Sequence, residues 1–82
     1  MPPRRSKADV IRLMEECFGH HKAALLIERA AEETGIGDQA DYSVEETGSM
    51  LDHLGRAPGL VGISARFARS RLKATWTRTS DG

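Results

Sequence analysis

The chain has 82 residues, with twelve basic and twelve acidic side chains, 39% hydrophobic residues and a single cysteine. This length accommodates one domain with a small core, and one cysteine excludes both an intramolecular disulfide and a cysteine-pair zinc site. No apolar run approaches the roughly 20 residues that span a membrane, and no signal-peptide segment follows the N-terminal charges. We therefore expect a soluble cytoplasmic protein without a metal or other cofactor.

The charges are strongly segregated along the chain, although they sum to zero. Residues 1–8 have a balance of +3, residues 9–55 combine eleven acids with three bases, and residues 56–80 hold six bases and no acid. An acidic middle between two basic ends indicates electrostatic contacts, either within the chain or with a partner.

Two helices are predicted in the first half of the chain. Ser6 can cap the first of them, which the spacing of apolar residues places at about 7–18. Gly19 is expected to end it, and an alanine-rich pattern predicts a second helix at about 20–34. Leu25 falls off the apolar face of that second helix, which indicates a contact outside the core.

Two further helices are predicted in the second half. Ser43 and Glu46 form a capping-box pattern that starts a third helix at about 44–54. Pro58 is placed to start a fourth helix at about 59–76. The expected buried face of the fourth helix includes Leu60, Val61, Ile63, Ala65, Phe67, Ala68 and Leu72.

These patterns predict an all-α fold, namely a compact bundle of four short amphipathic helices. We expect a single helical domain at 6–76, with a disordered basic arm at 1–5 and a frayed tail at 77–82. No segment shows the alternation of apolar and polar residues that indicates a strand.

The sequence offers little support for catalysis or metal binding. Cys17, His20 and His21 are close in sequence, but adjacent side chains on a helix diverge by about 100°, so too few ligands converge for zinc. Cys17 also falls on an apolar helix face, where burial is expected to make it unreactive. No serine stands in a nucleophile turn, and no glycine-rich phosphate loop is present. We therefore expect that the protein is not an enzyme.

The predicted fourth helix carries the most distinctive charge pattern. At about 100° per residue, Arg66, Arg69 and Lys73 fall within about 60° of one another, and we call this set the basic ridge. Arg71 falls instead inside the apolar arc, where we expect it to be half-buried against a carboxylate. The ridge is suited to a protein partner with an acidic or otherwise complementary surface.

The stretch "LGRAPGLV", from Leu54 to Val61, precedes the Arg-rich helix and resembles the turn before the recognition helix of sigma-factor-type helix-turn-helix domains. "YSVEE" is similar to the start of the preceding helix in those domains, although the helix between is about one turn longer. The resemblance implies that the basic ridge contacts phosphates or bases. The zero net charge and the acidic middle oppose this reading. Residues available for nucleic acid are Arg4, Arg5, Arg56, Arg66, Arg69 and Lys73.

We therefore predict a small non-enzymatic regulatory or adaptor module that acts through protein–protein contacts and self-associates. Its predicted contact residues are Leu25 and the basic ridge, and a homodimer would bury either Leu25 or the face from Ala23 to Ala30. DNA binding through the C-terminal helix is the alternative.

Overall fold

The computed structural model describes the backbone of residues 4–81 and the side chains of residues 4–72. Its elements in chain order are strand β1 (Arg4–Ser6), helix α1 (Lys7–Glu33), strand β2 (Asp41–Ser43), helix α2 (Val44–Leu54) and helix α3 (Gly59–Asp81). The predicted four-helix bundle is wrong, because this part of the chain forms three helices and a two-stranded sheet. None of these helices is long and apolar enough to cross a membrane.

Helix α1 replaces the two helices predicted at 7–18 and 20–34. Gly19 has φ 78° and ψ 166°, well outside helical values, and α1 kinks at this residue instead of ending there. This backbone conformation is open almost only to glycine. The same residue that suggested a helix end from the sequence is therefore the site of a kink. The predicted cap is confirmed, because Ser6 Oγ accepts a hydrogen bond from the Asp9 backbone N–H at 3.2 Å.

Strands β1 and β2 form an antiparallel ribbon that the sequence pattern did not predict. The paired residues are Arg4 with Ser43, Arg5 with Tyr42, and Ser6 with Asp41. Arg4 and Arg5 therefore belong to a strand and not to a disordered arm. Strands of three residues are too short to show an alternating pattern, which is why the ribbon left no signal.

Helix α2 has the predicted boundaries and the predicted capping box. Ser43 Oγ accepts from the Glu46 backbone N–H at 3.1 Å, and the Glu46 carboxylate accepts from the Ser43 backbone N–H at 2.9 Å. The second of these hydrogen bonds is the main reason that the pKa of Glu46 is lowered. The box thus satisfies backbone donors that would otherwise lack partners at the helix start.

The core lies where the three helices meet the ribbon, and the described residues form a body with a radius of gyration of 11.7 Å. Its buried apolar residues are Val10, Ile11, Met14, Ala23, Ile27, Ala30 and Ala31 from α1, Tyr42 from β2, Met50, Leu51 and Leu54 from α2, and Ala65, Ala68 and Leu72 from α3. The Tyr42 hydroxyl accepts from the Gln39 backbone N–H at 3.1 Å and donates to the Gly37 carbonyl at 3.4 Å. Tyr42 therefore anchors the loop before β2 to the core.

Helix α3 begins at the predicted residue and continues to Asp81, through most of the segment expected to fray. Its first turn passes close to the turn that joins α2 to α3. A methyl group at Gly62 would overlap the carbonyl oxygen of Ala57. This close approach fixes the direction in which α3 leaves the turn, and so the orientation of its faces.

Candidate functional site

Two residues of the basic ridge predicted on α3, Arg66 and Arg69, already make contacts within the chain. Arg69 Nε lies 3.2 Å from Asp52 Oδ1, and Arg66 Nε donates to the Gly55 carbonyl at 3.1 Å. Both arginines stay exposed, so a partner could meet them together with the α2 groups that they contact. The side chain of Lys73 lies outside the described residues.

The predicted N-terminal arginines are paired with acids of the chain's middle segment and of α1. Arg4 Nε lies 2.6 Å from Asp41 Oδ1, and Arg4 Nη2 lies 3.3 Å from Glu46 Oε1. Arg5 Nη1 lies 3.9 Å from Asp9 Oδ2. Part of the acidic middle is thus used to neutralise the N-terminus. Arg56 is exposed in the turn before α3.

Leu25 is 53% exposed, as its position off the apolar face predicted. It lies in a shallow groove whose lining residues are Lys22, Leu25, Leu26, Glu28, Arg29 and Glu32. Ala23 and Ala30, which were considered as a dimer face, are fully buried in the core. That interpretation is wrong, because the small alanines allow close packing within the chain instead.

A row of three large apolar side chains lies exposed on α3, and we call it the α3 stripe. Leu60, Ile63 and Phe67 are 57%, 60% and 68% exposed, although all three were predicted to be buried. Their spacing of i, i+3 and i+7 aligns them along one side of the helix. No other described residue buries them.

The wrong assignment has a geometric cause. Ala65, Ala68 and Leu72 form the buried row of α3, and at about 100° per residue this row is centred about 140° away from the stripe. Because α1 and α2 pack against one side of α3, they cannot bury both rows. The signal was present in the sequence, since the apolar arc of α3 is wider than the roughly 100° of an ordinary surface helix.

Basic side chains border the α3 stripe. Arg71 continues the row one turn beyond Phe67 and is exposed, not half-buried as predicted. Among the side chains that the structure describes, no carboxylate forms an ion pair with Arg71. Arg71 lines a small cleft between α3 and the first half of α1, together with Arg12, Leu13, Glu16 and Ala68.

The residues considered for chemistry are dispersed. Cys17 is exposed, so its predicted burial is wrong. His20 Nδ1 lies 3.3 Å from Glu15 Oε1 within α1. His53 is on α2, and its Nε2 lies 2.7 Å from Oε1 of Glu33, at the end of α1. Among the described residues, no three metal-ligating side chains cluster.

No protein-family model matches this chain, and comparisons with curated proteins and with solved structures give no match.

Proposed function

We propose that this protein is a small non-enzymatic regulatory or adaptor module that acts by binding another protein surface through α3. The observation that carries the proposal is the exposure of Leu60, Ile63 and Phe67 in one row. Single exposed apolar residues are ordinary, whereas a contiguous row of large ones is typical of an interaction site.

The composition of the row suits an interface. Phe67 is an aromatic side chain with 68% of its surface exposed, and aromatic anchors are enriched at the centres of protein interfaces. Arg66 and Arg71 lie at its edges, where charge steers association and sets register more than it adds affinity.

DNA binding is supported by one observation and opposed by two. Helices α2 and α3 are consecutive and joined by the short turn 55–58, as the resemblance to sigma-factor-type domains requires. However, Arg69 is paired with Asp52, so a phosphate would have to compete with a carboxylate. The α3 stripe also offers apolar surface that a phosphate backbone does not use.

The proposal is tested by photo-cross-linking from an unnatural side chain at position 63, followed by titration of the identified and purified partner. Phe67→Ser should weaken binding at least about tenfold, because it removes an interface anchor. Leu25→Ser is the matched control on α1 and should change the affinity by less than about twofold. If only Leu25→Ser weakens binding, the contact surface is the α1 groove and not α3. If no partner cross-links and the chain remains monomeric, the proposal fails.

Stability measurements separate a lost contact from a lost fold. Phe67→Ser should change the free energy of unfolding by less than about 0.5 kcal/mol, because the side chain is exposed. Leu72→Ala on the same helix should cost about 2–4 kcal/mol, because Leu72 is 1% exposed. Urea denaturation of both variants checks this difference, and equal costs would contradict the two-row description of α3.

A further inference from the structure

The groups around the α3 stripe indicate the chemistry of the partner. We infer that the stripe binds a partner helix whose own apolar row is flanked by acidic side chains. This inference rests on the proposed function and specifies its partner.

The first argument is the charge of α3. Between Gly59 and Leu72 the charged residues are Arg66, Arg69 and Arg71, and the segment contains no acid. All three arginines are exposed. Arg71, at the end of the stripe, has no carboxylate partner among the described side chains.

The second argument is the hydrogen-bonding capacity that remains on these arginines. The recorded hydrogen bond of Arg66 uses Nε, whereas a guanidinium has five donors in a planar fork. Such a fork matches the two oxygens of a carboxylate, and paired Arg–carboxylate contacts give orientation as well as attraction. Glutamates beside the partner's apolar row would supply this match.

The third argument weighs against a second copy of α3. A two-fold contact between stripes would place the same surface on both sides of the interface. Arg66 and Arg71 border the stripe in both copies, so this contact would bring basic groups of both copies into one interface, where like charges are unfavourable. Between Gly59 and Leu72, α3 has no acidic residue that could neutralise these arginines.

A second copy could instead offer its α1 groove around Leu25. Glu28 and Glu32 line that groove, but Lys22 and Arg29 balance them, so the groove has no net acidic character. Such a head-to-tail contact between two copies would leave one stripe and one groove unused, so the assembly would extend indefinitely unless it closed a ring. An acid-flanked helix of another protein fits the observations better.

The length of the stripe sets the length of the partner contact. From Leu60 to Phe67 the helix rises about 10 Å, or two turns. A partner helix with apolar residues at i, i+3 or i+4, and i+7 covers this distance, as in other helix recognition modes. Its acids are expected beside that row and one turn beyond it, within reach of Arg66 and Arg71.

The test is a display selection with helical peptides of about 18 residues that carry a fixed leucine row. Flanking positions are randomised among Glu, Gln and Lys, and the baits are the wild-type chain, Phe67→Ser and the double variant Arg66→Gln/Arg71→Gln. The wild type should enrich Glu at the flanks, and Phe67→Ser should enrich nothing. The double variant should still retain peptides through their fixed leucine row, but without a preference for Glu at the flanks. The selected peptide, labelled and titrated, should bind the double variant at least about tenfold more weakly than the wild type.

The inference would be overturned if the wild type enriched Gln or Lys at the flanks as much as Glu. It would also be overturned if the double variant kept the preference for Glu. Sedimentation equilibrium distinguishes this failure from failure of the proposed function. A wild-type dimer that Phe67→Ser dissociates would make a second copy the partner and leave the proposed function standing. If neither peptide selection nor self-association depends on Phe67, both the inference and the proposed function fail.

Discussion

Gly62 contributes to stability because, having no side chain, it allows α3 to lie close to the backbone of Ala57. In a helix interior, Gly→Ala ordinarily stabilises by about 0.5–1 kcal/mol. At this position we expect a loss of about 1–3 kcal/mol, because the new methyl group would overlap the backbone of Ala57. Urea denaturation measures the change. Gly48→Ala is the control, since its methyl group would meet only the flexible Arg69 side chain, at 3.3 Å, and should cost less. A Gly62→Ala variant as stable as the wild type would contradict the close approach of α3 to the preceding turn.

Glu46 makes stability depend on pH. The hydrogen bond from the Ser43 backbone, followed by smaller contributions that include Arg4, lowers the pKa of Glu46 from its ordinary value of 4.5. A carboxyl group with a lowered folded-state pKa contributes stability above its unfolded pKa and loses it as the pH falls through the folded pKa. We therefore expect the free energy of unfolding to decline as the pH falls below 4.5.

The variant Glu46→Gln isolates this effect, because Gln can still accept the capping hydrogen bond but does not titrate. Its unfolding free energy, measured by urea denaturation at about pH 5 and pH 3, should decline less than that of the wild type. Glu45→Gln, at the exposed neighbouring position, should behave like the wild type. An identical decline in wild type and Glu46→Gln would show that this carboxylate does not carry the pH dependence.

At the scale of single residues, the sequence predicted the features that depend only on residues a few positions apart. The Ser6 cap and the Ser43–Glu46 box are decided by residues three positions apart, so the sequence sufficed to predict them. Exposure is not local. Cys17 and Phe67 both lie at apolar positions of their helices, yet both are exposed, because burial depends on which side of the helix the rest of the chain covers.

The kink in α1 is an element-scale feature with a single-residue cause. Gly19→Ala should cost about 1–3 kcal/mol, because the backbone conformation at this residue is one that side-chain-bearing residues rarely adopt. The cost is conformational, since nothing lies within 4 Å of the added methyl group. His21→Ala, at an exposed position in the same helix, is the control. A Gly19→Ala variant that matches this control in urea denaturation would indicate that α1 straightens without penalty.

The same glycine explains the wrong helix count. A sequence pattern locates Gly19 as a break in helical periodicity but does not tell a kink from an end, because the difference lies in the packing of the two halves. The ribbon is a comparable case. Its two strands are 35 residues or more apart in sequence, and their pairing depends on how helix α1, which lies between them, packs.

For the whole molecule, the structure shows how the segregated charges are used. Part of the acidic middle pairs with the basic N-terminus, through Arg4 with Asp41 and through Lys7 with Asp38 at 2.6 Å. On α3 only Arg69 has a recorded carboxylate partner among the described side chains. The chain as a whole is neutral, but it has a local basic surface beside the α3 stripe. The sequence predicted a basic ridge of Arg66, Arg69 and Lys73, but it did not predict the exposure of Arg71 or of the apolar stripe.

This distribution leads to a last prediction, which decides between a protein and a nucleic acid as the ligand of α3. Fluorescence anisotropy of mixed-sequence duplex DNA, titrated at about 50 mM and about 200 mM salt, should give a Kd no tighter than about 10⁻⁴ M at the higher salt. Few phosphates can be neutralised while Asp52 holds Arg69, so the salt dependence should be shallow. Asp52→Asn releases Arg69 and should strengthen this weak binding slightly, whereas it should leave a Phe67-dependent protein contact intact. Tight binding that weakens steeply with salt and is abolished by Arg69→Gln would instead make phosphate the ligand of α3, and the exposure of Phe67 would then need a different explanation.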